Sequence, residues 1–215
     1  TVSFQQGEMA AVLGRNGAGK TTFIRCIANL IAHQGSIVLE EDGKKLGRSS
    51  IAYLPQLEKI TSSLTTFETI LLGLTKTLSW KVSEAQLAKV SQVIRELKLD
   101  AFANTPVRSL SGGQKQLVFL AQSFVSEPRL LLLDEPTSAL DVRHQLVVME
   151  TVHRYCKKRN AVALYVIHDL MLASRFSDAV LFLHNGMAHS FDTPDAVLNS
   201  ETIDPIYQIE SLIET

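Results

Sequence analysis

The residues Gly14-Arg15-Asn16-Gly17-Ala18-Gly19-Lys20-Thr21 set three glycines, a lysine and a hydroxyl at the spacing of a phosphate-binding loop. Glycines let backbone N–H groups converge on phosphate oxygens, and a helix that opens at the lysine adds its positive N-terminal dipole. Gly14, Asn16, Gly17, Ala18, Gly19, Lys20, Thr21 and Thr22 are the candidate binding residues, with Lys20 reaching the outer phosphates and the Thr21 hydroxyl ligating magnesium. A second group, Leu130-Leu131-Leu132-Leu133-Asp134-Glu135, ends an apolar run in two carboxylates. Ligands of open α/β sheets bind at the carboxyl ends of the strands, so Asp134 is placed to hold magnesium, directly or through water. Glu135 is placed to polarise a water for in-line attack on a terminal phosphate. An apolar strand ending in Asp-Glu is common by itself, and the phosphate loop upstream is what favours this reading.

A third group, Leu110-Ser111-Gly112-Gly113-Gln114, opens a helix rather than following a strand. Ser111 can cap that helix, the paired glycines allow close approach, and the exposed N–H groups make a second anion site. In isolation this is an ordinary Ser-Gly-Gly turn.

The elements that must position these groups alternate between strand and helix. Residues 9–13 form a short apolar run into the loop, and residues 20–32 carry helical spacing. Residues 2–4, 36–40 and 51–54 read as strands, with a turn-rich stretch over 42–50. A helical lobe begins near Thr65. In it Ser83 and Gln86 have capping-box spacing, and Leu87, Val90, Ile94 and Leu97 share a packing face. A further helix carries Leu117, Leu120, Ala121 and Phe124 on one face. Residues 130–133 read as a buried parallel strand, 141–158 as helix, and 161–167 as another buried strand. Residues 179–183 and 187–191 flank Asn185-Gly186, a hairpin signal.

With these groups in this order, the chain resembles the ABC ATPase family over nearly its whole length. The resemblance implies an α/β fold: a P-loop NTPase (RecA-like) core, an inserted α-helical signature subdomain and a small antiparallel β part at the N-terminus. The expected division is 1–64 and 116–215 for the two parts of the catalytic core and 65–115 for the signature subdomain. It also implies ATP and Mg2+ as ligands, with Ser111, Gly112, Gly113 and Gln114 facing the nucleotide of a partner subunit. Gln56 resembles the Q-loop glutamine that reaches magnesium and relays to the lobe, though alone it is a surface glutamine. Asp141, in Ser138-Ala139-Leu140-Asp141, resembles the loop that crosses the dimer interface and is equally placed to cap a helix; both roles together are expected. His168 resembles the histidine that contacts the γ-phosphate, where a lone histidine is usually structural. The remaining histidines, His33, His144, His153, His184 and His189, share no ligand spacing and read as surface or packing residues. Only 13 residues precede Gly14. An N-terminal truncation is therefore expected, one that removes the adenine-stacking aromatic the family carries, and Phe4 lies too close to replace it.

Bulk properties bound the function. The 215 residues, 46% hydrophobic, suffice for one substantial core with a smaller lobe. Basic and acidic residues nearly cancel, 21 against 22, so bulk charge does not point to nucleic acid. Cys26 and Cys156 read as packing residues of a reducing compartment. No apolar run approaches the roughly 20 residues that span a bilayer. The ABC resemblance implies a transporter subunit at the cytoplasmic face of the inner membrane, held there peripherally. Its implied partners are a second ATPase copy or a paralogue, transmembrane permease subunits and, indirectly, a substrate-binding protein. The stretch Leu64-Thr65-Thr66-Phe67-Glu68-Thr69-Ile70-Leu71-Leu72-Gly73 resembles importers of iron-siderophore, haem and cobalamin complexes, as do Asp141-Val142-Arg143-His144-Gln145 and His168-Asp169-Leu170. Zinc or manganese importers, exporters, and soluble ABC ATPases acting on ribosomes or DNA stay open as alternatives.

Overall fold

Side chains alternate across a strand, so a run such as Met-Ala-Ala-Val-Leu must be covered on both faces to hide every residue. Residues 2–57, 62–77 and 82–207 are described by a computed structural model, and it shows how that covering is achieved. The strands are β1 (Met9–Leu13), β2 (Glu40–Glu41), β3 (Lys44–Lys45), β4 (Ile51–Leu54), β5 (Leu130–Asp134), β6 (Val162–Val166), β7 (Ala179–His184) and β8 (Met187–Asp192). The helices are α1 (Lys20–Ile27), α2 (Thr66–Leu71), α3 (Glu84–Glu96), α4 (Gly112–Phe124), α5 (Val142–Arg159), α6 (Leu170–Phe176), α7 (Pro194–Val197) and α8 (Ser200–Tyr207). The main sheet runs β4-β5-β6-β1-β7-β8, parallel throughout except for β8, which returns antiparallel from β7. On one face Met9, Ala11, Leu13, Leu131, Leu133 and Tyr165 pack with Leu120 and Phe124 of α4 and Met149 and Val152 of α5. On the other, Ala10, Val12, Leu132 and Leu164 pack with Ile24 of α1.

The antiparallel part is the β2–β3 hairpin, which follows α1. Residues 2–4 form no strand; Phe4 instead meets the Phe191 ring edge-on at 5.4 Å. Residues 36–39 form none either, and Ile37 and Val38 are 44% and 57% exposed. Helix α1 stops five residues short of the predicted end. Asn29 adopts φ +56°, and the N–H groups of Asn29 and Leu30 turn back to the carbonyls of Cys26 and Arg25, which closes the helix. The apolar spacing of Leu30 and Ile31 mimics continued helix, yet both side chains face solvent.

In the lobe, capping boxes at Thr65–Glu68 and Ser83–Gln86 start α2 and α3, as the Ser83 spacing predicts. Val90 and Ile94 are buried while Leu87 is exposed, so the α3 stripe is narrower than its sequence suggests. Helix α4 serves both units: Val118, Ala121 and the following Val125 join the lobe core, whereas Leu120 and Phe124 join the sheet core. A domain division at residue 115 thus falls inside one helix, and residues 208–215 of the last segment lie outside the described residues. Burial pushes the Cys156 thiol up to about 12, in keeping with a packing role.

Gly73 fixes how closely α4 approaches the lobe. A methyl group there would lie 2.0 Å from the Gln122 carbonyl oxygen and 2.6 Å from Val125 Cγ1. Gly73→Ala is expected to destabilise the protein by about 1 to 3 kcal/mol through overpacking, measured by urea unfolding; an unchanged midpoint would contradict the close approach.

Candidate functional site

Strand β1 delivers the chain to Gly14 at the carboxyl edge of the sheet. A methyl group on Gly14 would sit 2.2 Å from the Leu183 carbonyl oxygen, so the adjoining β7–β8 hairpin admits only glycine there. Gly17 and Gly19 take φ values of +81° and +96°, which favour glycine and curve the loop onto the start of α1. The Lys20 ammonium, 6% exposed as a residue, folds into that curve and donates to the carbonyls of Gly14 at 2.7 Å and Arg15 at 3.0 Å. Burial lowers its pKa, and the nearby Glu135 and Asp134 oppose the shift. Ala18 is buried, while Asn16 and Thr22 face solvent.

Strand β5 ends on Asp134, which is 3% exposed and accepts a bond from the Thr21 hydroxyl at 3.0 Å. Glu135 then turns out of the strand at φ +50°, a left-handed conformation costing a non-glycine residue about 1 to 2 kcal/mol. Two side chains hold it there. Gln56 Nε2, beyond β4, donates to Oε2 at 2.7 Å, and His168 Nε2, beyond β6, contacts Oε1 at 2.8 Å. Thus the catalytic candidates Glu135, Gln56 and His168 meet at one point. Gln56 was expected at magnesium; here its amide is engaged with Glu135.

Ser111 caps α4. Its hydroxyl accepts the Gln114 N–H at 3.3 Å, and the Gln114 side chain accepts the Ser111 N–H at 2.9 Å. Neither bond uses the N–H groups of Gly112 or Gly113. Ser111 and Gly112 are exposed and Gly113 is buried. Helix α4 packs against α2, α5 and β4, whereas α1 packs under β5 and β6, so the two anion cradles belong to different layers. Asp141 caps α5 through the His144 N–H at 2.9 Å.

Sequence reasoning missed two residues at this site. The Tyr53 hydroxyl, on β4, donates to Asp134 Oδ2 at 3.3 Å and accepts from Arg25 Nε at 3.3 Å. Burial raises its phenol pKa, so it stays a donor. His144, read as surface or packing, contacts both Asp141 carboxylate oxygens at 2.8 and 2.9 Å. Its i,i+3 spacing from Asp141 was the available signal.

A buried ammonium in a glycine curve, beside a hydroxyl–carboxylate pair and a restrained glutamate, suits one class of ligand in this topology. That ligand is a nucleoside triphosphate, and the chain is in its fold a P-loop triphosphatase. Comparison narrows the class. Residues 1–138 match the profile of the ABC transporter family. The chain is 35% identical to an uncharacterized ABC transporter ATP-binding protein of Methanocaldococcus jannaschii, over 98% of this chain and 84% of that protein. It is 32% identical to the hemin import ATP-binding protein HmuV of Pseudomonas fluorescens, over 100% and 88%. Its structure superposes on that of a metal-chelate type ABC transporter solved in an inward-facing conformation, with TM-score 0.88 and 26% identity over 97% and 81% of the two chains. The chain belongs to the ABC transporter family, as an ATP-hydrolysing subunit. Among the described residues no helix is long and apolar enough to cross a membrane.

Proposed function

We propose that two copies of the chain close head to tail on two ATP molecules, and that this closure powers import of a metal-chelate cargo such as hemin. The observation that carries the sandwich is the second cradle: the Ser111–Gly112 helix start is exposed and lies in a different layer from the phosphate loop. The cargo class is supported by the relative named for hemin import and by the metal-chelate transporter neighbour.

In this reading Lys20 leaves the Gly14 and Arg15 carbonyls for the outer phosphates, and the loop N–H groups take the remaining oxygens. The Thr21 hydroxyl and Asp134 carboxylate form an all-oxygen donor pair that suits magnesium. When bound, that ion neutralises charge on the phosphates. Glu135, restrained by Gln56 and His168, orients the attacking water and accepts its proton. From the partner, Ser111, Gly112, Gly113 and Gln114 close the opposite side, flanked by Asp141. Hydrolysis removes the charge that held the halves together, and Gln56, two residues beyond edge strand β4, passes the opening to the lobe of residues 65–115.

A permease fits the cavity of about 630 Å³ between β4 and the lobe, bordered by Tyr53, Leu72, Gly73, Ser83 and Gln122. Leu72 is 42% exposed at its rim, an apolar foothold next to the moving segment. Such docking would place the chain peripherally at the cytoplasmic face of the membrane, with a substrate-binding protein engaged only through the permease.

Because each site needs two chains, ATPase activity per milligram is expected to rise with protein concentration and level off as dimers fill. Constant specific activity across a thousandfold dilution series, on the order of nanomolar to micromolar, would place a complete site within one chain and overturn the reading.

A further inference from the structure

We infer that His144 is a positioning residue that locks the signature turn, through the buried Gly113, to the start of α5, so that the exposed Gly112 and Asp141 present a single rigid face to a second chain. The inference rests on the head-to-tail reading. One edge of the imidazole meets Asp141, with Nδ1 at 2.8 and 2.9 Å from the two carboxylate oxygens, while the backbone N–H of the same residue donates to Oδ1 at 2.9 Å. That backbone bond, then the ring bond, hold the Asp141 carboxyl below its usual range. An ionised carboxylate across both contacts places the proton on Nδ1.

The remainder of the ring lies against the signature turn. A methyl group at Gly113 would fall 2.2 Å from His144 Cδ2 and 2.7 Å from Cγ. Gly113 does not have a positive φ, so backbone freedom is not what requires glycine. The imidazole is what excludes a side chain. One residue earlier, a methyl group at Gly112 would come 3.5 Å from Leu140 Cδ2, an ordinary contact that extends the same seam. Leu140 and Asp141 on one side and Gly112 and Gly113 on the other are therefore joined through His144 before any partner arrives. Preorganisation of this kind lowers the ordering cost of association.

The test uses the Glu135→Gln protein with ATP, its dimer dissociation constant read by sedimentation, and nucleotide affinity read separately on dilute chain with a fluorescent ATP analogue. His144→Ala is expected to weaken dimerisation about tenfold, as for loss of a charge-assisted bond. Nucleotide affinity of the dilute chain, which depends on the phosphate loop, is expected to stay within about twofold. His144→Asn, whose amide can still donate to Asp141, should recover part of the loss. Gly113→Ala should cost less in the His144→Ala background than alone, because the obstructing ring is gone. Equal dimerisation of His144→Ala and its parent overturns this inference alone. A matching fall in nucleotide affinity also overturns it, by showing general structural damage. Failure of the parent to dimerise with ATP overturns the head-to-tail reading and this inference with it.

Discussion

Lys20→Ala is expected to lower ATP turnover by about a thousandfold, the scale set by removing a preorganised donor from developing oxyanion charge. Lys20 is 6% exposed, and its ammonium donates to the carbonyls of Gly14 and Arg15, 2.7 and 3.0 Å away. Burial lowers its pKa and the nearby Glu135 and Asp134 oppose that shift; an incoming phosphate would likewise favour the charged ammonium. Alanine leaves two acidic side chains facing the phosphates without the main counter-charge. Lys20→Arg should not rescue, because a planar guanidinium is too large for a curve that already encloses the lysine. Phosphate release under saturating ATP is the readout, and turnover within about tenfold of the parent would contradict the assignment.

Glu135→Gln is expected to slow hydrolysis by about two to three orders of magnitude while leaving nucleotide binding intact, the range typical of general-base removal. The amide is nearly isosteric with the carboxylate and can keep contact with Gln56 and His168, now 2.7 and 2.8 Å from the two oxygens. It cannot accept a proton from water. ATP-bound dimers should therefore accumulate and appear at twice the chain mass by light scattering on adding ATP. Turnover near the parent's would remove Glu135 from the mechanism. The left-handed backbone at φ +50° gives the same position a second signature. Glu135→Gly should relieve backbone strain while abolishing turnover, because the strain serves to aim the side chain.

Local patterns carried much of this account. The glycine loop, the apolar run into Asp134 and the Ser111 helix cap are contiguous motifs whose chemistry follows from spacing, and each forms as spacing predicts. Gln56 and His168 were singled out by family resemblance, and their convergence on Glu135 is added by the fold, since these residues lie 79 and 33 positions from it and no periodicity joins them. Tyr53 was invisible for a similar reason: its hydroxyl meets Asp134 only because β4 pairs with β5 in parallel register. The role of His144 was hidden by its partner, as glycine carries no side chain whose pattern could announce a contact. Sequence and structure part where apolar residues inside predicted elements face solvent, as with Ile37, Val38 and Leu30. Asn29 ends α1 through its left-handed backbone, a choice made against the apolar spacing around it.

The composite site can be examined by mixing two chains that are each inactive. Lys20→Ala spoils the loop of its own chain, and Ser111→Arg, at an exposed position, spoils the face offered to the other. If each site is built from the loop of one chain and the helix start of its neighbour, half of the randomly mixed dimers contain one intact site of two. The mixture should then regain about a quarter of the parent's ATPase activity. A mixture that stays at the level of the two inactive proteins measured separately would mean that the phosphate loop and the serine-glycine turn do not act on the same nucleotide across an interface.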